Sequence, residues 1–204
     1  MMLSAVEPRG KGLVALFADG EKAADLDAET YLKSGLKPGD CLTDERLREL
    51  VGASDIRRAE QKAMNLLGYR AHSRRELARK LGRTFPREAA EKAAEKMEEL
   101  GLVDDAEYAR SLAAELFRGK GYAASRVRLE LMRRGVDREL AEQAAAEAEP
   151  EPREAVRRIV ERKYARFLGD EKGRRRTAAA LQRLGYRWDD IRGALREFTV
   201  DEDE

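Results

Sequence analysis

The sequence predicts a mainly α fold: three tandem three-helix units in an elongated curved body, preceded by a small N-terminal appendage with a β-hairpin. Three observations predict it. Past Ser54 no stretch alternates like a strand, whereas apolar residues recur at helical spacing between helix start and stop signals. Charged residues make up 40% of the 204 positions and aromatics 6%, which suits small units with thin cores better than one thick core. A helix, a basic helix and an acidic helix follow one another three times, as expected of stacked repeats that share their stability.

The appendage covers residues 1–52, with strands expected near Leu3 to Val6, Leu13 to Phe17 and Lys22 to Leu26. Asp19-Gly20 between the last two is a two-residue hairpin signal, because a type I′ turn needs positive φ at both central positions. Pro8-Arg9-Gly10-Lys11-Gly12 reads as a flexible basic loop, more a solvated turn than a phosphate contact, since it lacks the GxxxxGK[ST] pattern. Asp27 caps a helix from Ala28 to Ser34 that Gly35 ends. Asp44 and Glu45 then open a helix that Gly52 is expected to close.

The first unit covers residues 53–103. Ser54 is read as the cap of a helix reaching Leu67, with Ile56, Ala59, Ala63, Met64 and Leu67 on one face. Ser73 with Glu76 forms a capping box opening a basic middle helix (Arg74, Arg75, Arg79, Lys80). The acidic third helix runs from Pro86 to Leu100 and turns Ala90, Ala93, Ala94, Met97 and Leu100 inward.

The second unit, 104–149, starts at the N-cap Asp104, reaches Phe117 and breaks in Gly119-Lys120-Gly121. Its middle helix, Ser125 to Arg134, buries Val127, Leu131 and Met132 and displays Arg126, Arg128, Arg133 and Arg134. The third unit, 150–198, has a first helix from Arg153 to Phe167 and a middle helix from Asp170 to Leu184 bearing Lys172, Arg174, Arg175, Arg176 and Arg183. Leu131, Gly135, Val136 and Leu140 match Leu181, Gly185, Tyr186 and Ile191, with one residue inserted. Residues 199–204 form an acidic tail.

Charge says more by its distribution than by its sum. The formal net charge is +1, yet Arg70 to Arg87 holds seven basic residues and one acidic, and Glu88 to Glu107 eight acidic and two basic. Cys41 is the only cysteine, so an intrachain disulfide is excluded, and it reads as a small buried side chain. No apolar run approaches a membrane span and no signal-peptide core is seen, which points to a cytoplasmic chain. His72 has no second ligand near it, Asp104-Asp105 reads as a helix start rather than a magnesium site, and no nucleophile or acid–base pair stands out. A non-enzyme without cofactor or metal follows. Tyr69, Tyr108, Tyr122, Phe117, Tyr164, Phe167, Tyr186 and Trp188 sit at helix ends, where packing is a better reading than base stacking.

Binding is the better supported class, because guanidiniums on three successive middle helices could neutralise phosphates or meet acidic patches of a protein. The run L-L-x-x-R-x-x-S-x-x-E-L-x-x-K-L leading to L-x-D-D-x-x-Y-A resembles the RecX family of regulators of the RecA recombinase. FRGKGYAASRVRLELMRRGV resembles that family's second unit, and RKY with QRLGYRWDDI its third. The resemblance implies three tandem three-helix units, binding to the filament RecA forms on single-stranded DNA, and inhibition of strand exchange, ATP hydrolysis and coprotease activity. The partners it implies are that filament and the DNA within it; a monomeric chain with no membrane partner is expected besides. Candidate contacts are Arg74, Arg75, Arg79, Arg126, Arg128, Arg133, Arg134, Arg174, Arg175 and Arg176; Tyr108 and Tyr122 look like packing positions. Ala123-Ala124 replaces the family's frequent Gly-Pro and should lengthen the middle helix of the second unit; Thr84 replaces a glycine and should shift the register of the first. The alternatives are an independent helix-turn-helix-like DNA-binding protein and a scaffold without a nucleic-acid role.

Overall fold

The computed structural model describes residues 1–198, so the acidic tail lies outside the described residues. The chain divides after Val103 into two compact units. The first opens with an antiparallel meander of β1 (Leu3–Gly10), β2 (Leu13–Ala18) and β3 (Glu21–Asp27). Both hairpins are closed by two residues with positive φ, Lys11 (52°) with Gly12 (73°) and Asp19 (51°) with Gly20 (86°). This corrects the loop expected over Pro8 to Gly12. Pro8 and Gly10 pair with Val14 and Leu13, and Pro8 is tolerated because β1 is an edge strand. Leu3, Leu16 and Leu26 pack with Leu42 and Leu50 as the core of this part. Cys41 is exposed rather than buried, since its backbone forms the bridge to Met2 and its side chain is left outside that core.

Helix α1 (Ala28–Ser34) keeps its expected bounds, with Asp27 accepting from the Thr30 amide and Gly35 left-handed at its end. The next element differs from expectation. The helix expected to close at Gly52 and the one expected to start at Ser54 are a single 26-residue helix, α2 (Asp44–Tyr69). An interior glycine disfavours a helix by only about 1 kcal/mol relative to alanine, and apolar contacts on both sides of Gly52 outweigh that. Leu50 packs under the sheet, while Ala59 and Ala63 pack on α3 (Arg74–Leu81) and α4 (Arg87–Glu99). Ser54 is not a cap; its buried hydroxyl accepts from the Asp27 amide at 2.7 Å. Leu77, Leu81, Ala90, Ala93, Ala94 and Met97 close the three-helix core, whereas Met64 and Leu100, both expected inside, are exposed.

The second unit contains two further triplets. The first is α5 (Asp105–Glu115), α6 (Ala124–Arg133) and α7 (Arg138–Ala148), and the second is α8 (Pro152–Lys163), α9 (Glu171–Arg183) and α10 (Trp188–Glu197). Helix α5 ends in a π turn over Leu116–Lys120, which left-handed Gly121 terminates. Helix α6 begins one residue before the expected Ser125, and Met132 is exposed on it. Helix α8 stops at Lys163 instead of Phe167, and a single 3₁₀ turn, Ala165–Phe167, leads into α9. Leu131 and Leu181 are fully buried, Gly135 and Gly185 have φ of 88° and 98°, and Val136 and Tyr186 are buried behind them. The partner of Ile191 is therefore buried Ala141, not Leu140, and no residue is inserted between the repeats.

The two triplets are joined by hydrogen bonds to the backbone of the turn after α9. The Ala123 amide donates to the Leu184 carbonyl at 2.9 Å, and the Ser125 hydroxyl to the Gly185 carbonyl at 2.8 Å. No side chain caps α6, so the turn of the next triplet lies where a cap would. A second close approach is at Gly173, where an added Cβ would lie 1.7 Å from the Phe167 carbonyl oxygen. Gly173→Ala is expected to lower stability by about 2–3 kcal/mol, because the 3₁₀ turn and the start of α9 must separate. Thermal unfolding followed by circular dichroism checks this. A loss of only a few tenths of a kcal/mol would contradict the close approach.

Candidate functional site

Each middle helix buries a short apolar stripe and leaves guanidiniums on its other face. Leu77 and Leu81 face inward on α3, Val127 and Leu131 on α6, and Ala178 and Leu181 on α9. The orientation of α3 is set by a polar cluster that the sequence did not reveal. Glu76 is buried, accepting from Arg70 at 2.6 and 3.2 Å and from Nδ1 of buried His72 at 3.1 Å. Burial by itself would raise the Glu76 carboxyl, but the hydrogen bonds from Arg70 and His72 and the Arg70 charge prevail and hold it at about 2. Burial pushes His72 below its ordinary value, against the opposing hydrogen bond to Glu76. Neutral His72 thus donates through Nδ1, since an ionised carboxylate can only accept. Ser73 also caps α3 by accepting from the Glu76 amide at 3.1 Å.

The ten candidate arginines have different surroundings. On α3, Arg74 lies 3.4 Å from Glu98 of α4, whereas Arg75 and Arg79 are exposed with no ion pair among the described residues. Arg75 and Arg79 line a groove of about 810 Å³ between α3 and α4, joined there by Arg83 and Arg87. Arg83 and Arg87 are not among the ten candidates, although they belong to the same basic run. Arg87 is engaged by Glu91 at 2.7 Å.

On α6, the Arg126 guanidinium lies over the Tyr122 ring at 5.5 Å, and its Nε is buried without a partner among the described residues. It belongs to the joint between triplets more than to an open face. Arg128 is half-buried with no ion pair among the described residues, beside exposed Leu129 and Met132. Arg133 and Arg134 lie 3.9 and 3.6 Å from Glu130.

On α9, Arg174 donates to the Leu168 carbonyl at 3.0 Å and Arg175 is held by Glu171 at 2.9 Å. Arg176 is exposed and unpaired among the described residues, as are Lys172 and Arg183. Every middle helix therefore offers at least one guanidinium that no carboxylate among the described residues engages: Arg75 and Arg79, Arg128, and Arg176. Exposed pairs such as Arg175 with Glu171 contribute about 0–1 kcal/mol and can be exchanged for a phosphate.

Tyr108, Phe117 and Tyr186 are buried packing residues, while Tyr69, Phe167 and Trp188 are exposed and Arg166 lies over Phe167 at 4.7 Å. Among the described residues no three His, Cys, Asp or Glu side chains gather as metal donors. Among them too, no helix is long and apolar enough to cross a membrane.

Comparisons with known proteins agree with this architecture. Residues 59–97 match the model of the first three-helix domain of RecX and residues 104–144 that of the second. The regulatory protein RecX of Caldanaerobacter subterraneus subsp. tengcongensis is 32% identical over 151 residues, covering 72% of this chain and 76% of that protein. The RecX of Trichlorobacter lovleyi is 39% identical over 136 residues, 64% of this chain and 88% of its own length. A crystal structure of a regulatory protein RecX superposes with a TM-score of 0.66 at 18% identity, covering 95% of this chain and 98% of that one. RecX from Lactobacillus salivarius superposes with a TM-score of 0.62 at 22% identity, over 72% and 99%.

Proposed function

The chain belongs to the RecX family of regulatory proteins, and from that premise we propose that it is a non-catalytic inhibitor of the RecA recombinase, acting on the filament that RecA forms on single-stranded DNA. Bound there, it restrains strand exchange, ATP hydrolysis and coprotease activity. The observation that carries this reading is the recurrence, on the middle helix of all three triplets, of guanidiniums with no ion pair among the described residues. A cation already bridged to its own carboxylate must give up that weak pair to meet a new anion, so it gains somewhat less than an unpaired one. Arg75, Arg79, Arg128 and Arg176 are ready to meet phosphates or acidic protein surface. Leu129 and Met132 beside Arg128 suit a partner that is protein as well as polyanion.

The arginine-rich α3–α4 groove favours a second reading, a DNA-binding protein that needs no recombinase. Fluorescence anisotropy with a labelled oligothymidylate, alone and coated with RecA, separates the two. The filament is expected to be bound at least about tenfold more tightly than naked strand, since it adds protein contacts to phosphate contacts. Equal affinities, with a log–log salt slope of about −0.7 per neutralised phosphate on the bare strand, would instead favour the DNA-only reading.

A further inference from the structure

Within the second unit, an open cleft of about 900 Å³ lies between the triplet α5–α7 and the triplet α8–α10. None of the ten candidate arginines lines it. Its floor is apolar, from Phe117, Ala155 and Ile159. Its rim is cationic, from Arg118, Arg158 and Arg162. We propose that this cleft docks an acidic peptide segment of a protein partner, with an aliphatic side chain on the floor and flanking carboxylates on the three arginines. The cleft is built entirely within the second unit and apart from the guanidiniums of the middle helices.

Charge complementarity selects the carboxylates. Arg162 has no ion pair among the described residues, and Arg158 comes only to 4.0 Å of Glu154. Arg118 is tethered through Nε to the Ala114 carbonyl at 3.3 Å, which orients its stem and leaves the terminal nitrogens for a ligand. Glu161, also on the rim, is engaged by Arg157 at 3.6 Å, so it does not cancel Arg162. Tyr186 supplies a neutral donor: its hydroxyl has no hydrogen-bond partner among the described residues, and burial, opposed by the Arg158 charge and aided less by Glu149, pushes the phenol up to about 12.

The same features disfavour a polynucleotide. Tyr186 is 7% exposed, so its ring offers no face on which a base could stack. Glu161 and Glu149 interrupt any row of cations that a continuous phosphate chain would follow. Discrete carboxylates flanking one apolar anchor fit the spacing of charges and the floor together.

Anisotropy on the full chain tests this with a fluorescein-labelled short peptide in which a leucine pair is flanked by glutamates. Controls replace the leucines by serine or the glutamates by lysine. The acidic leucine peptide is expected to saturate, and each control to bind at least about tenfold more weakly, because anchor and charge both contribute. Arg158→Glu with Arg162→Glu is expected to weaken it about tenfold or more, and Tyr186→Phe, which keeps the ring, about threefold. Arg175→Glu with Arg176→Glu, on α9, should leave it unchanged. No saturable binding would overturn the proposal, as would binding that survives both cleft variants. Displacement by oligothymidylate, lost in the same variants, would overturn it in favour of nucleic acid. Should the double reversal lower the unfolding midpoint, Tyr186→Phe decides the matter alone.

Discussion

Glu76→Ala is expected to destabilise the first unit by about 3 kcal/mol, because charge-assisted hydrogen bonds are lost and a buried donor is left unpaired. The mechanism is specific. Arg70, from the end of α2, and His72, from the link to α3, converge on one buried carboxylate. Without it, His72 is left buried with an unmatched donor and α3 loses its attachment to the end of α2. The same cluster sets a pH dependence. Glu76 titrates at about 2 when folded against an ordinary 4.5, so its contribution is complete above about pH 4.5 and is lost as the pH falls through about 2. A displacement of that size corresponds to about 3 kcal/mol. His72 acts in the same direction, because its folded value is also depressed: stability falls as acid forces a buried imidazole to charge. Urea unfolding of the wild-type chain and of Glu76→Gln between neutrality and pH 2 checks both statements. The variant should be weaker at neutral pH and flatter below pH 4.5. Equal stability of the two at neutral pH would contradict the cluster's role.

Charge reversal of Arg75, Arg79, Arg128 and Arg176 together is expected to weaken filament binding by about a hundredfold or more at moderate salt, since each lost cation removes a counterion-releasing contact. Folding should change little. Three of the four are exposed and Arg128 is half-buried, and surface substitutions away from special features usually stay within about 0.5 kcal/mol. Reversing Arg133, Arg134 and Arg174 instead should cost clearly less affinity, because Glu130 and the Leu168 carbonyl already engage them. A filament co-sedimentation assay over a salt series compares the sets. Equal losses would mean that total charge matters and that the pairing pattern does not.

The local signals were the legible part of this fold. Asp27, Ser73 and Asp104 cap the helices they were expected to cap, and Asp19-Gly20 turns with both φ positive. Each signal acts within four residues, so sequence alone carries it. What failed depends on distant contacts. Gly52 does not end a helix whose two halves pack on different cores, and Ser54 finds its partner in Asp27, far back in the chain. Met132 and Leu100 are apolar at helical spacing yet exposed, because the stripe each helix buries is narrower than its run of apolar residues.

The candidate site divides in the same way. That the middle helices carry arginines was plain from composition. Which arginines are unpaired was not, because that depends on tertiary neighbours such as Glu98 opposite Arg74 and the Leu168 carbonyl opposite Arg174. The pairing of Arg175 with Glu171 four residues earlier follows ordinary helix spacing and could have been anticipated. The Glu76 cluster was hidden behind its own capping box: Glu76 explained itself locally, and nothing local says that it is buried.

The most direct measurement is the single-stranded-DNA-dependent ATP hydrolysis of RecA with this protein titrated in, beside the variant reversed at Arg75, Arg79, Arg128 and Arg176. A filament regulator acting through these helices should inhibit well below one copy per recombinase monomer, and the folded variant should not. Undiminished hydrolysis with wild-type protein in excess over RecA would contradict filament regulation, and inhibition that the variant retains would contradict the middle helices as its agent.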